Sequence, residues 1–189
     1  MIPCLLLDAP MPPEETAQWT TREEQIRAST FRNERRRREY LTWRTLVRRE
    51  LGHNIRIIYN ELGAPVLPDG EAFISVSHCP DRVAVCLSPN HCAVDIERVD
   101  RDFGRVAGRF LTADEAALSA DPLWPGYVWC AKETLYKYAG RRNLDFLTDL
   151  RILSADLAAE RLTGQIGDGE PLELVARCLG GEYLTTFIL

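Results

Sequence analysis

Lysine is almost absent from this 189-residue sequence, although 23 of its residues are lysine or arginine. Lys132 and Lys137 are the only lysines, and both lie in the stretch 129–137, Trp-Cys-Ala-Lys-Glu-Thr-Leu-Tyr-Lys. The sequence otherwise uses arginine for positive charge, so lysine is expected where a compact ammonium is needed, as in a contact with one phosphate oxygen. The composition therefore directs attention to this stretch.

Long hydrophobic runs are also missing. The run near the start, 2–7, has no basic residue before it and is followed by prolines, so the sequence predicts neither a signal peptide nor a membrane span. The six cysteines include no Cys-x-x-Cys pair, which argues against a zinc site. Without an export signal, we expect these cysteines to be reduced thiols in a cytoplasm.

The overall composition excludes two further classes of protein. Hydrophobic residues make up 46% of the chain and charged residues 27%, values typical of a globular protein and not of extensive disorder. The net charge of −5 argues against a general nucleic-acid binder, because such domains are strongly basic. The length fits one domain or two closely packed lobes.

The first half of the chain alternates between strand and helix signals. A long stretch without glycine or proline, ended by Gly52, predicts a helix over 33–51, and a polar segment at 14–28 is also helix-prone. Short apolar or β-branched runs bounded by turn residues predict strands. These predicted strands are 4–7, 56–59, 72–78, 83–87 and 92–97, and the last three are expected to form an antiparallel meander.

Arginine is concentrated in the 33–51 helix, in the run 35–38 and again at Arg44, Arg48 and Arg49. Three interpretations compete: a solvated helix face, a nucleic-acid patch, and a site for an anion or an acidic protein partner. The acidic remainder of the chain disfavours the nucleic-acid patch. The sequence alone leaves the other two open.

Two carboxylates share one face of the last strand of the predicted meander. In 93–97, Ala-Val-Asp-Ile-Glu, strand alternation points Asp95 and Glu97 to one side and Val94 and Ile96 to the other. Adjacent carboxylates repel, so one pKa should rise unless a cation neutralises them. Mg²⁺ characteristically takes one or two carboxylates together with substrate phosphates and water. The pair therefore indicates either a magnesium site or the charged solvent face of an edge strand.

The second half begins with helices and ends with strands. Thr112-x-x-Glu115 has the form of a capping box, and a helix with a glycine C-cap is predicted over 126–139. Glu133 and Lys137 fall on one face of this helix, where they form either a surface salt bridge or part of a site. Further strands are predicted at 150–153, 172–178 and 183–189.

Three short motifs occur in a specific order along the chain. They are Ser77-His78, Asp95-Ile96-Glu97 and the stretch 129–137. Together they resemble the 4′-phosphopantetheinyl transferases, and most closely the monomeric, two-lobed type that activates carrier proteins of peptide, polyketide and fatty-acid synthases. The resemblance implies an α+β fold of two pseudo-symmetric lobes, each with helices packed on an antiparallel β-meander. The implied lobes are 1–98, the coenzyme A and metal side, and 99–189, which carries the metal and the catalytic helix.

The resemblance also implies a reaction. The 4′-phosphopantetheine group of coenzyme A would be transferred to a serine of an acyl or peptidyl carrier protein, with release of 3′,5′-adenosine bisphosphate. Asp95, Glu97 and Glu133 would hold Mg²⁺ against the pyrophosphate. Lys137 would bind the neighbouring phosphate and stabilise charge on the leaving group. Glu133, directly or through a metal-bound water, or in second place Glu97, would take the proton from the attacking serine.

Substrate contacts and partners follow from the same resemblance. The candidate contacts to coenzyme A are Ser77, His78, Arg36, Arg37, Arg44, Lys132 and Lys137. The expected partners are coenzyme A and a carrier protein, with no nucleic acid and no membrane. The protein is expected to act as a monomer in the cytoplasm.

One departure from the family pattern leaves a second function open. The family has Gly-Lys-Pro in the turn that reads Gly63-Ala64-Pro65 in this chain, so one cationic contact to coenzyme A is missing. The alternative function is a coenzyme A or carrier-protein binding module of the same fold that has lost turnover. Cys79 and Ala93 replace the family's usual serine and glycine, and neither change removes a metal ligand.

Overall fold

The computed structural model describes residues 2–70 and 72–189, and it separates into two compact units. The first unit extends to Asn90 and includes Leu189, and the second is His91–Ile188. Both units combine helices with antiparallel sheets, which confirms the predicted α+β class. Within the described residues, no helix is both long enough and apolar enough to cross a membrane.

The first unit is built on a three-stranded antiparallel sheet and a short hairpin. Its helices are α1 (Pro13–Thr16), α2 (Arg22–Ser29) and α3 (Glu34–Leu51). Its strands are β1 (Cys4–Asp8), β2 (Ile58–Tyr59), β3 (Pro65–Val66), β4 (Phe73–Cys79) and β5 (Arg82–Ser88). The sheet has the order β1-β5-β4, and β2 pairs with β3.

Helix α3 provides the helical side of the core in the first unit, where it packs on β5. Its ends follow from local chemistry. The Asn33 side chain accepts a hydrogen bond from the Arg36 amide (3.3 Å), and Gly52 follows the last turn with a φ of 108° that favours glycine. Trp43 and Val47 from its middle are buried with the apolar residues of the sheet. The helix therefore confirms the prediction over 33–51.

The second unit is built on one five-stranded antiparallel sheet in the order β6-β10-β9-β8-β7. Its strands are β6 (Ala93–Arg98), β7 (Leu150–Asp156), β8 (Arg161–Ile166), β9 (Leu172–Leu179) and β10 (Tyr183–Ile188). Its helices are a 3-10 helix (Gly104–Arg109), α4 (Ala113–Ala116) and α5 (Trp124–Ala139). Helix α5 packs across the sheet, chiefly on β6 and β10.

Close packing fixes helix α5 on the sheet. A Cβ added at Gly126 would collide with the side chain of Leu184 on β10, so only glycine allows this approach. Further along the helix, the hydroxyls of Thr134 and Thr186 lie 2.6 Å apart. The helix ends at Gly140, whose φ of 56° is the left-handed conformation of a C-cap. These contacts hold the predicted 126–139 helix against β6 and β10.

The predicted meander of the first half is wrong in its third strand. The predicted strand 92–97 corresponds to β6, but β6 pairs with the C-terminal strand β10 through six consecutive residue pairs. In the first unit, β5 pairs instead with β1. The backbone donors and acceptors of a short apolar strand can pair with any neighbouring strand, so the sequence of β6 does not encode its partner.

One strand of the second unit, β8, was not predicted from the sequence. Gly164 interrupts its apolar pattern, and an internal glycine weakens a strand prediction. The packing explains this glycine, because an added Cβ would lie 2.8 Å from Leu135 Cδ1 and 3.0 Å from Leu174 Cδ1. Gly164 therefore allows α5 to pack closely on β8.

Candidate active site

Two carboxylates on β6 face helix α5. Asp95 Oδ1 accepts a hydrogen bond from the Lys137 ammonium at 2.8 Å, and Glu97 Oε1 accepts one from the Trp129 indole at 3.1 Å. Since Lys137 and Trp129 both project from α5, Asp95 and Glu97 lie on the same face of the strand. The structure thus confirms the predicted alternation of β6 and places both carboxylates against the helix that carries Glu133.

The Lys137 ammonium is held by β6 but retains donor capacity. It donates to the Val94 carbonyl (2.9 Å) as well as to Asp95. An ammonium carries three donors, so these two bonds leave one for a further acceptor. The side chain is 28% exposed, and its position in the last turn of α5 is favourable for a cation because the carbonyl end of a helix is negative. Lys137 can therefore bind an anion without giving up Asp95.

Glu133 lies one helical turn before Lys137 and is half-buried. Burial raises the pKa of Glu133, and the charge of Asp95 raises it further, while Lys137 and Arg101 lower it. A glutamate with a raised pKa holds its proton closer to neutral pH, which is the range in which a general base operates most effectively. The position and the environment of Glu133 therefore suit proton transfer.

Glu97 is perturbed in the same direction. Burial raises the pKa of Glu97 to about 7, with the charges of Asp95 and Glu133 adding to the effect and Arg101 and Trp129 opposing it. The charge of Asp95 therefore raises the pKa of both glutamates, and the charge of Glu133 also raises the pKa of Glu97. The three side chains form one cluster of interacting carboxylates.

The carboxylate cluster fits a hard divalent cation by its donor chemistry, because it consists of oxygen ligands that repel one another. Side chains of the protein supply part of the neutralising charge: Lys137 pairs with Asp95, and Arg101 pairs with Glu97. The Arg101 guanidinium also lies over the Trp129 ring at 4.8 Å. Among residues 2–70 and 72–189, no three His, Cys, Asp or Glu side chains are arranged as a preformed metal site. A cation at this cluster would compete with Arg101 for Glu97.

Lys132 projects from another side of α5, into the interior of the second unit. Its ammonium lies 2.7 Å from the carbonyl oxygens of Phe110 and Phe146 and 2.7 Å from Glu115 Oε1. Glu115 is the capping-box residue of α4 and also accepts from the Ile152 amide at 2.9 Å. Burial lowers the pKa of Lys132, and the hydrogen bond and charge of Glu115 oppose the shift. The contact to coenzyme A predicted for Lys132 has no support in this fully buried position.

In the first unit, the structure brings His78 at the end of β4 together with Arg36 of α3. Arg36 Nη1 donates to His78 Nε2. Beneath them, Glu39 Oε2 lies 3.4 Å from His78 Nδ1 and 3.6 Å from Arg36 Nη1, and Glu39 Oε1 lies 3.3 Å from Arg35 Nε. Ser77, the neighbour of His78, is buried. Sequence reasoning missed Glu39, although its spacing from Arg35 and Arg36 on one helix face was a usable signal.

The other two arginines predicted to contact coenzyme A are held by the helical part of the first unit. Arg44 is fully buried, and its guanidinium donates to Glu24 (3.2 Å) and to the Tyr59 hydroxyl (2.8 Å). Arg37 Nε donates to the Phe31 carbonyl at 2.6 Å. Neither the solvated-face interpretation nor the anion-site interpretation describes Arg44, which contributes to the core.

A cleft of about 450 Å³ on the first unit shares Arg35 with the cluster at the end of β4. Its charged lining residues are Arg35, Arg38, Glu34 and Asp81. Arg38 Nε also donates to the Met11 carbonyl at 3.2 Å, which ties the arginine run to the chain that precedes α1. Each arginine of the run 35–38 therefore makes a contact within the first unit, and the side chains of Arg35 and Arg36 are also about half exposed.

The comparison with protein families agrees with the site. A family model described as the 4′-phosphopantetheinyl transferase superfamily matches residues 91–188, more than half of the 189-residue chain. None of the curated proteins matches the chain closely enough to count as a relative. The matched region contains Asp95, Glu97, Glu133 and Lys137. The chain therefore belongs to the 4′-phosphopantetheinyl transferase superfamily.

Proposed function

We propose that the protein transfers the 4′-phosphopantetheine group of coenzyme A to a serine of an apo acyl or peptidyl carrier protein in a Mg²⁺-dependent reaction. The observation that carries the proposal is the convergence of the β6 carboxylates with Glu133 and Lys137 of α5. Membership of the superfamily supplies the class of reaction. The monomeric, two-lobed type and a cytoplasmic location are part of the proposal, and sedimentation measurements test the assembly state.

Asp95, Glu97 and Glu133 are the residues that would hold Mg²⁺. The bound cation would neutralise charge on the pyrophosphate of coenzyme A, which favours attack by an oxygen nucleophile. The pKa values of Glu97 and Glu133 are raised first by burial and further by neighbouring carboxylates; this supports the assignment, because a bound cation would stabilise the charged forms.

Glu133 acts as the general base in the proposed reaction. It takes the proton of the serine hydroxyl while the serine oxygen forms a bond to the β-phosphorus of coenzyme A. The bond between that phosphorus and the bridging oxygen breaks, and its electron pair leaves with 3′,5′-adenosine bisphosphate. The raised pKa of Glu133, caused first by burial and then by Asp95, matches the base to a reaction near neutral pH.

Lys137 stabilises the negative charge that develops on the leaving phosphate. Its bonds to Asp95 and Val94 fix the position of the ammonium, and its remaining donor can reach a phosphate oxygen. A prealigned cation of this kind needs no rearrangement as charge develops, which lowers the barrier.

In the first unit, His78 and Arg36 are proposed to contact a phosphate of coenzyme A. Their direct contact places a guanidinium and an imidazole at one point of the surface, and a guanidinium suits phosphate recognition. Ala64, in the turn between β2 and β3, supplies no cation. The proposed site therefore relies more on α3 and β4 than the usual family pattern does.

The test is incubation of the protein with an apo carrier protein, coenzyme A and Mg²⁺, followed by intact mass measurement. We expect the carrier protein to gain a phosphopantetheine adduct when it is incubated with the natural protein or with Glu170→Gln, an exposed control. No adduct on the carrier is expected with Glu133→Gln. A panel of fatty-acid, polyketide and peptidyl carriers compared by kcat/KM identifies the acceptor. Binding of coenzyme A without an adduct on any carrier would reject the transferase and favour the binding module.

A further inference from the structure

A buried carboxylate lies directly beneath the imidazole that the proposed function assigns to coenzyme A. We infer that Glu39 is a positioning residue: it holds the ring of His78 in one orientation, keeps the proton of the neutral ring on Nδ1, and stabilises the imidazolium that binds a phosphate. The identity of the ligand rests on the proposed function. The contacts that carry the inference all lie between α3 and β4 in the first unit.

The first step of the argument is the burial of Glu39. Its side chain is only 4% exposed, whereas that of His78 is 35% exposed. A buried carboxylate is costly unless charged or donor groups compensate it. Here Arg35 contacts one oxygen of Glu39, and Arg36 and His78 approach the other. Burial raises the pKa of Glu39, and the two arginines oppose the shift. The carboxylate is therefore held in place by the same side chains that it supports.

The second step concerns the tautomer of His78. A guanidinium can only donate hydrogen bonds, so the contact from Arg36 Nη1 requires His78 Nε2 to accept. The proton of the neutral ring is then on Nδ1, the nitrogen 3.4 Å from Glu39 Oε2. A partner on one ring nitrogen determines the state of the other. Glu39 thus fixes which nitrogen is presented to a ligand.

The third step links this arrangement to phosphate binding. Phosphate oxygens accept hydrogen bonds, so Nε2 can contact them as a donor only when the ring gains a second proton. The resulting imidazolium is stabilised by the carboxylate of Glu39, and Arg36 can donate to the same anion. Coenzyme A binding should therefore take up a proton from solvent at any pH at which the free ring is neutral.

Several charged groups on these elements and on the turn that follows β4 are unchanged when only Glu39 is replaced. Arg35 acts on His78 through Glu39. The neighbouring strand β5 places the apolar Val83 opposite His78. The β4–β5 turn carries Asp81, and Arg82 at the start of β5 donates from Nη1 to the Asp81 carbonyl at 3.4 Å. Replacing only Glu39 therefore isolates its effect, since all these groups are retained in the variant.

The direct test is an NMR titration of the imidazoles in the free protein. The chain has 3 histidines, so the His78 signal can be assigned against His53 and His91. We expect Glu39→Gln to move the titration midpoint of His78 to lower pH by about one unit, because it removes a negative charge within about 4 Å. Glu50→Gln, an exposed glutamate on the same helix, is the control and should leave all midpoints unchanged.

A second measurement needs no variant, so it applies even where Glu39→Gln folds poorly. Nitrogen chemical shifts of the natural protein report the tautomer of neutral His78, and we expect the proton on Nδ1. A dominant Nε2–H form would overturn the inference.

Calorimetry of coenzyme A binding in buffers of different ionisation enthalpy measures the proton uptake. This uptake should be reduced or absent in His78→Gln.

The outcomes separate this inference from the proposed function. An unchanged His78 midpoint in Glu39→Gln overturns the inference, whatever happens to coenzyme A. A lowered midpoint with coenzyme A affinity reduced by up to about tenfold supports both, since one unit changes the protonated fraction by that factor. A lowered midpoint with unchanged affinity in both Glu39→Gln and His78→Gln refutes the coenzyme A contact and leaves the transferase assay to decide the reaction.

Discussion

Replacing Lys132 by methionine should destabilise the second unit strongly. The ammonium of Lys132 is buried among the carbonyls of Phe110 and Phe146 and the carboxylate of Glu115. Methionine fills a similar volume but leaves Glu115, itself 3% exposed, without its counter-ion. The carboxylate keeps a hydrogen bond from the Ile152 amide, but the carbonyls of Phe110 and Phe146 lose their bonds from the ammonium as well.

Breaking a buried ion pair by removing one partner costs about 3–5 kcal/mol. A protein of this size changes its Tm by about 2–4 °C per kcal/mol, which makes the expected fall in Tm roughly 6–20 °C. The double variant Lys132→Met/Glu115→Gln should recover part of the loss, because a neutral amide is cheaper to bury than an unpaired carboxylate. Arg177→Met, which breaks an exposed pair with Glu160, is the control and should cost about 1 kcal/mol or less.

Urea unfolding followed by circular dichroism measures these differences, and calorimetry with coenzyme A provides an independent readout. If Lys132 is structural, Lys132→Met lowers the free energy of unfolding and leaves coenzyme A affinity unchanged below the transition. The reasoning is refuted if Lys132→Met costs less than about 1 kcal/mol and the double variant is no more stable than the single one. If Lys132→Met is stably folded but binds coenzyme A more weakly, this result would instead support the sequence-based prediction that Lys132 contacts coenzyme A.

Three further predictions concern the carboxylate cluster and the packing of α5. The raised pKa of Glu97, about 7 against a usual 4.5, means that the folded state binds this proton more tightly than the unfolded state. In metal-free protein, stability should therefore fall by up to about 3 kcal/mol as pH rises from about 4.5 to 7, and thermal melts of Glu97→Gln should lack this loss. Arg101→Ala should tighten Mn²⁺ binding about fivefold by calorimetry, since it removes a competing ion pair worth about 1 kcal/mol; unchanged or weaker binding would show that Arg101 does not compete. Gly126→Ala should cost about 1–3 kcal/mol because its Cβ meets Leu184, whereas Gly108→Ala, with open space around it, should be nearly neutral in the same unfolding assay.

The helices were predictable because their limits depend on neighbouring residues. The Asn33 side chain caps α3, Gly140 ends α5, and the Thr112–Glu115 capping box begins α4. Each of these signals lies within a few positions of the helix end that it determines. The pairing of β6 with β10 depends on residues far apart in the chain, so no local pattern could predict it.

In the candidate site, too, features set by local spacing were predictable and features set by distant residues were not. Strand alternation placed Asp95 and Glu97 on one face and helical spacing placed Glu133 and Lys137 together, and the family resemblance then joined the two pairs into one predicted site. Periodicity gives the angle between side chains on an element but not which side faces the core. Lys132 was therefore expected at the ligand, although its charge is neutralised inside the protein.

The burial of Arg44 and of Glu39 was not predicted, for a related reason. Both are charged, and charged residues are usually exposed, but each is buried among compensating partners. Arg101 was missed because its contact with Trp129 joins segments that are distant in sequence. Such partners become visible only when the tertiary structure is known.

The three acceptor groups around Lys132 also explain why lysine suits this position. Two carbonyls and the Glu115 carboxylate surround a single nitrogen at 2.7–2.8 Å, which matches the three donors of an ammonium, whereas a guanidinium directs its donors within one plane. Exchange of lysine for arginine, a common step in engineering proteins, would place a larger planar group in a space shaped for one atom. Libraries designed to vary the basic residues of this protein should therefore hold position 132 constant, independently of any effect on the reaction.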